Sequence, residues 1–154
     1  MRSSTQLLCL LLPLAMLVGC SKDDNMGGTM PTPTAQTQTQ LLAANAWQLD
    51  KLTDTSGKTI NATQTDITTQ FLFGLIFQFR ENNIVRALDR TTKQIINAGE
   101  WTFTADNKAV NVNVSGFKGD FPLIELTAKK MILRQNVSVN GVKQDINLEF
   151  VPSL

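Results

Sequence analysis

The sequence predicts an all-β domain with short helices, an eight-stranded antiparallel up-and-down barrel, on three observations. From Leu41 onward apolar and polar side chains alternate with the two-residue period of half-buried strands. The alternating segments are joined mostly by short polar turns, with no crossover helices between the later ones, so neighbours run antiparallel. Eight such segments can be counted, and eight strands close into a barrel that its own side chains fill or that holds one small ligand. Closure also removes the exposed edges of an open sheet. A two-sheet β-sandwich of the same strands is the alternative.

The first strand, Ala46 to Leu52, sets Trp47 and Leu49 against Gln48 and Asp50. The second, Leu75 to Arg80, puts Leu75, Phe77 and Phe79 on one face, and the polar turn Glu81-Asn82-Asn83 makes the third, Ile84 to Asp89, its hairpin partner. The fourth, Gly99 to Thr104, carries Trp101 and Phe103. The fifth, Ala109 to Ser115, alternates three valines with Asn111, Asn113 and Ser115. Gly116 to Asp120 reads as loop, and Phe121 to Leu126 as the sixth strand, irregular at its start because Pro122 has no N–H to donate. The seventh, Lys130 to Val139, has Met131, Leu133, Val137 and Val139 in phase. Asn140-Gly141 then tolerates the positive φ of a type I′ turn and leads into the eighth, Val142 to Val151, with Ile146, Leu148 and Phe150 together before Pro152.

Two stretches break the two-residue period and look helical, Gln36 to Asn45 and Ala62 to Phe73. In the second, Thr65 or Asp66 caps a short helix whose Ile67, Phe71 and Leu72 face the sheet. A competing reading extends the second strand back to Phe71, which gives one apolar run from Phe71 to Phe77, an aggregation hazard unless covered.

Residues 1–19 have the layout of a removable export signal, with basic Arg2, an apolar run from Leu7 to Val18 and small Gly19. The run is about 12 residues and contains Pro13, short of the roughly 20 that span a bilayer. Leu17-Val18-Gly19-Cys20 matches the lipobox of bacterial lipoproteins, which makes Cys20 the expected lipidation site; a secretory signal with a chance cysteine is the alternative. Several acyl chains, palmitate among them, would anchor the protein stably, because each buried CH₂ contributes about 0.8 kcal/mol. Ser21-Lys22-Asp23-Asp24 resembles the acidic export signal that sends Bacteroidota lipoproteins to the outer face of the outer membrane, and a periplasmic face is the alternative. Residues 20–40, with Gly-Gly, two prolines and a Thr-Gln repeat, read as a tether with a root-mean-square span of roughly 25 Å. The domain proper is 41–154.

Missing residue types narrow the chemistry. The chain has no His and no Tyr, and its two cysteines are Cys9 and Cys20, of which Cys9 leaves with the signal. An intramolecular disulfide, a zinc site of His and Cys, and Ser-His or Cys-His nucleophilic pairs are thereby excluded. The 14 basic and 13 acidic groups balance once Arg2 is removed, so the basic footprint that nucleic acid requires is absent. No calcium loop of the Asp-x-Asp-x-Asp-Gly type is present. Carboxylates alone can run glycoside hydrolysis, but the candidate pairs, Glu81 with Asp89 and Glu100 with Glu125, fall at turns or outer faces. The expectation is therefore a protein with no enzymatic activity, cofactor or metal.

Leu42 through Trp47-Gln48-Leu49, the run Phe77-Gln78-Phe79-Arg80-Glu81-Asn82-Asn83, Gly99-Glu100-Trp101-Thr102-Phe103 and the closing Leu148-Glu149-Phe150 together resemble small lipocalin-like lipoproteins of Bacteroidota, over roughly Leu41 to Val151. The resemblance implies binding, with a small apolar or amphipathic ligand entering one end of the barrel. It also makes Arg134 the candidate for the basic residue that often packs over the first-strand Trp. Physical candidates for the inner wall are Trp47, Leu49, Phe77, Phe79, Trp101, Phe103, Val110, Val112, Leu133, Ile146 and Leu148; any β domain needs the same face for its core. The alternative function is an interaction protein whose filled barrel offers the polar ladder Asn111, Asn113 and Ser115, with Thr102 and Thr104, to a protein or glycan. The sequence names neither ligand nor partner.

Overall fold

The computed structural model describes residues 36–153. Helix α1 (Gln38–Ala43) leads into strand β1 (Ala46–Asp54); β2 (Thr59–Ile60), helix α2 (Ile67–Phe71) and two 3₁₀ turns, Ala62–Gln64 and Leu72–Gly74, precede β3 (Leu75–Phe79). The remaining strands are β4 (Ile84–Asp89), β5 (Ile95–Phe103), β6 (Ala109–Val114), β7 (Phe117–Leu126), β8 (Met131–Val139) and β9 (Val142–Pro152). All pairings are antiparallel in the order β1, β3, β4, β5, β6, β7, β8, β9, and β9 pairs back onto β1 from Trp47↔Pro152 to Asp54↔Ile146. The result is a closed eight-stranded up-and-down barrel. The open sandwich is overturned, because every barrel strand has a partner on both sides.

Local sequence explains most of the departures from the expected bounds. The loop read at Gly116 to Asp120 is strand: Val114 pairs with Phe117, so Ser115-Gly116 is a two-residue turn, with Gly116 at φ +80°. β5 starts at Ile95, four residues before Gly99, and carries a bulge where Ile96 has no opposite number between Ala87 and Leu88. A second bulge at Asp50 shifts the phase of β1, which brings Trp47, Leu49 and then Leu52 to the same interior. Strand β2 pairs with β1 alone and was not legible, because two residues carry no period. Gly99 permits the close approach of β5 and β6: a methyl group there would lie 1.9 Å from the Asn113 carbonyl oxygen.

Helix α2 is capped by Asp66, whose carboxylate accepts from the Thr69 N–H at 2.9 Å, but its rotation corrects the expected one. Ile67 and Phe71 point to solvent, 78% and 58% exposed, while Thr69 and Leu72 are buried. The ends of the segment set this rotation. The Asn140 N–H donates to the Gln64 carbonyl at 2.7 Å on one side, and the Arg90 N–H to the Gly74 carbonyl at 2.8 Å on the other. The inward turn then falls on Thr69, whose hydroxyl bonds Asp66. The strand extension back to Phe71 is also corrected, since Leu72–Gly74 is a 3₁₀ turn.

The interior is one apolar cluster. Phe77 lies 4.9 Å from Phe117 and 6.1 Å from Phe150 between ring centroids; Trp101 meets Phe79 and Phe103 edge-on at 5.6 and 5.4 Å; Phe117 stacks on Phe121 at 4.1 Å. Edge and offset contacts of this kind contribute about 0.5–1.5 kcal/mol each beyond the area buried.

Candidate functional site

Alternation places a barrel strand's odd or even residues inside, and the two ends of the barrel then differ by what covers them. At one end, with the β3–β4, β5–β6 and β7–β8 turns, α1 closes the barrel. Its Leu42 is fully buried, the Trp47 indole N–H donates to the Leu42 carbonyl at 2.8 Å, and Asn45 donates to the Ala128 carbonyl at 3.0 Å. The Trp101 indole N–H is likewise satisfied by the Arg80 carbonyl at 2.9 Å. Two grooves of about 440 and 220 Å³ run along the outside here, sharing Ala43, Phe79 and Arg80. They are wide open to solvent.

At the other end α2 crosses the mouth from the β8–β9 hairpin to the β4–β5 turn, held by the two backbone bonds described above and by a bridge between Thr65 and Val139. Beneath it lies a more enclosed cleft of about 330 Å³, a volume at the lower end of the range for small-molecule sites. Leu72, Phe117 and Val137 supply apolar wall, and the Phe117 ring links the cleft to the aromatic core. Asp66, Thr69 and Gln135 supply polar wall, with exposed Lys143 at the rim.

Gln135 is the anomaly of this cleft. It stands on β8 directly opposite Ile146, in phase with Met131, Leu133 and Val137, so the strand carries it to the inner face. Its Oε1 is buried and has no hydrogen-bond partner among the described residues. A buried acceptor left unpaired costs about 1–3 kcal/mol, enough to require a reason in a small domain. Burial pushes the Asp66 carboxyl up, but the N–H and hydroxyl of Thr69 and the Ser138 N–H outweigh it and hold the group below its ordinary 3.8.

The wall residues expected from sequence come together, though in the core: Trp47, Leu49, Phe77, Phe79, Trp101, Leu133, Ile146 and Leu148 are at most 2% exposed, with partly buried Phe103 against Trp101. Of these only Phe79 borders any of the three cavities described, lining both grooves at the α1 end. Sequence reasoning missed Asp66, Thr69, Leu72, Phe117, Gln135 and Val137 as a group. The available signal was Gln135 itself, a polar residue interrupting the inward phase of β8. Arg134 donates from Nε to Asn147 across the strand pair at 3.1 Å. The ladder Asn111, Asn113, Ser115 and Thr102 is exposed, with Asn111 bonded to Asp120 at 2.6 Å.

Carboxylates suggested as acid-base pairs are not brought together. Glu81 sits in the turn before β4 and Asp89 at that strand's far end, its carboxyl held low by the N–H groups of Thr92 and Thr91. Glu125 pairs with Lys130 at 2.8 Å. Among the described residues no three His, Cys, Asp or Glu side chains cluster as metal ligands, and no helix is long and apolar enough to cross a membrane. Cys20, the export signal and the tether as far as residue 35 lie outside the described residues. No protein-family model and no curated protein matches the chain.

Proposed function

We propose that this chain is a lipocalin-like lipoprotein, anchored by acyl chains on Cys20, whose barrel binds one small amphipathic molecule at the end covered by α2. The observation that carries the binding reading is the cleft between α2 and β8, where apolar Leu72, Phe117 and Val137 meet an unpaired buried acceptor on Gln135. A lined cavity with few polar groups is the ordinary form of a small-molecule site. The α1 end carries two open grooves, and the Trp47 and Trp101 indole N–H groups there are already bonded. The anchor reading rests on Leu17-Val18-Gly19-Cys20, and the outer-membrane, surface-exposed location on Ser21-Lys22-Asp23-Asp24.

Two measurements test the parts separately. Growth of producing cells with an alkyne analogue of palmitate is expected to label the protein, and Cys20→Ala to abolish the label; an unlabelled wild type would end the anchor reading. Titration of ¹⁵N-labelled protein with short-chain amphiphiles is expected to shift the backbone resonances of Thr69, Leu72 and Val137 before those of strands away from the cleft, such as β4 and β5.

A second reading, an interaction protein, draws on five apolar side chains exposed at the same end: Ile67 and Phe71 on α2, Ile95 and Ile96 at the start of β5, and Val142. Crosslinking on intact cells that recovered a stoichiometric partner, lost in Ile67→Gln/Phe71→Gln, would favour it.

A further inference from the structure

Large apolar side chains exposed to solvent are not spread evenly over the molecule. Of the six among the described residues, Ile67, Phe71, Ile95, Ile96 and Val142 gather at the α2 end, each more than half exposed, and only Ile124 stands near the other end of β7. The bonds that hold α2 between the β8–β9 hairpin and the β4–β5 turn set its Ile67 and Phe71 between Val142, which opens β9, and Ile95 and Ile96, which open β5. Exposed apolar surface gathered in one place marks an interaction site. Cations ring the same end: Lys58 in the β1–β2 turn, Arg90 and Lys93 in the β4–β5 turn, and Lys118 and Lys143 at the second positions of β7 and β9. All are exposed, and among the described residues none forms an ion pair. The carboxylates beside them, Asp54, Asp66 and Asp89, are half-buried and accept N–H bonds from their own turns or cap, which leaves the cations outermost. Asp120 and Asp145 stand farther along the wall, bonded by Asn111 and Asn136.

We infer that the α2 end of the barrel is a contact surface for an anionic lipid bilayer, with Ile67 and Phe71 entering the headgroup region and Lys93 and Lys143 meeting lipid phosphates at its rim. Apolar side chains that insert shallowly and cations that attract anionic lipid are the two halves of interfacial binding, and both are present here. Lysine argues for lipid over protein as the occupant. Four of these five cations are lysines, a residue depleted at protein interfaces, and the long apolar stem lets the ammonium reach the phosphates while the chain stays at the surface. On the anchor reading above, residues 21–35 join Cys20 to the α1 end of the barrel. Extended, they reach at most about 50 Å, against roughly 25 Å for the height of a wall of tilted nine-residue strands, so the anchored barrel can set its far end on the same membrane. The inference does not depend on what the cleft binds.

The test is co-sedimentation with vesicles of phosphatidylcholine alone and of an equal mixture with phosphatidylglycerol. It uses the chain from residue 20 onward carrying Cys20→Ala, so that no acyl chain contributes. The protein is expected to bind the mixed vesicles about tenfold more tightly or better, and to be released as salt is raised. Ile67→Gln/Phe71→Gln is expected to weaken this binding by about tenfold, and Lys93→Gln/Lys143→Gln by a similar factor on the mixed vesicles alone. Ile124→Gln, the same kind of change near the other end of the barrel, is expected to leave it unchanged. Val142→Gln replaces the first double variant should that one misfold. Equal binding to the two vesicle types, or by wild type and Ile67→Gln/Phe71→Gln, would overturn the inference. So would a protein that binds neither vesicle, and if it dimerised through Ile67 and Phe71 in sedimentation the patch would belong to a second copy. If the mixed vesicles bind as expected while no amphiphile shifts Thr69, Leu72 and Val137, the lipid contact stands and the cleft reading falls.

Discussion

The two ends of the barrel are closed by helices of similar length, yet they are closed by different physics. α1 covers its end with fully buried Leu42 and takes the Trp47 indole N–H on its own carbonyl, so apolar burial and polar satisfaction coincide. α2 is fastened at its margins where the Gln64 and Gly74 carbonyls accept from the Asn140 and Arg90 N–H groups, turns Thr69 and Leu72 inward, and leaves Gln135 Oε1 beneath it unpaired among the described residues. Regions held by few apolar contacts open at lower free energy than the core, and binding lids come from that class. A lid and a plug can thus be distinguished by what each leaves unsatisfied.

The sharpest way to break this comparison is to remove the same side chain from both ends. Trp47→Ala, at the plug, is expected to cost about 3–5 kcal/mol and Leu42→Ala about 3–4 kcal/mol in urea denaturation, since both leave sealed voids. Leu72→Ala is expected to cost less, about 2 kcal/mol, because its space merges with an existing cleft and needs no new cavity. Equal losses for Leu42 and Leu72 would mean the α2 end is packed as tightly as the other.

Next in size is the cap. Asp66→Ala is expected to cost about 1 kcal/mol at neutral pH through loss of the Thr69 bond. With the folded carboxyl below its ordinary 3.8, the stability it contributes is complete above that value and is lost as pH falls through the lowered one. Acid titration of stability should therefore show a smaller loss below about pH 4 in Asp66→Ala than in wild type. Asp54, Asp89 and Asp106, held low by hydrogen bonds within their own turns, contribute acid dependence of the same sign in both proteins.

Hydrogen exchange compares the ends without mutation. The Gln70 amide, bonded to the Asp66 carbonyl at 3.1 Å, is expected to exchange faster than the β8–β9 ladder amides and to slow when a short-chain amphiphile binds. The smallest effect belongs to the outer face of α2: Ile67→Gln and Phe71→Gln are expected to change stability by no more than about 0.5 kcal/mol each. A larger loss would show that this face is covered in solution.

Alternation alone located the barrel strands, because a two-residue period with one apolar face has only one way to bury itself, and a slip of one residue would invert every side chain. Asn140-Gly141 and a cap at Thr65 or Asp66 were legible for the same local reason, since turn and cap chemistry lies within a few residues, and the structure assigns the cap to Asp66. The lack of His excluded His-based nucleophilic pairs and zinc sites of His and Cys, whereas the expected lack of a disulfide rests on removal of Cys9 with the signal.

What the chain could not announce are events between distant segments: the β1–β9 pairing that closes the wall, the bulges that re-aim β1 and β5, and the rotation of α2. Ile67 and Phe71 satisfy the helical spacing that predicts burial, but hydrogen bonds to Asn140 and Arg90 fix which side turns inward. The cleft belongs to this second class. Asp66, Phe117 and Gln135 share no local pattern, and only closure of the barrel beneath a helix anchored at both ends sets them around one space.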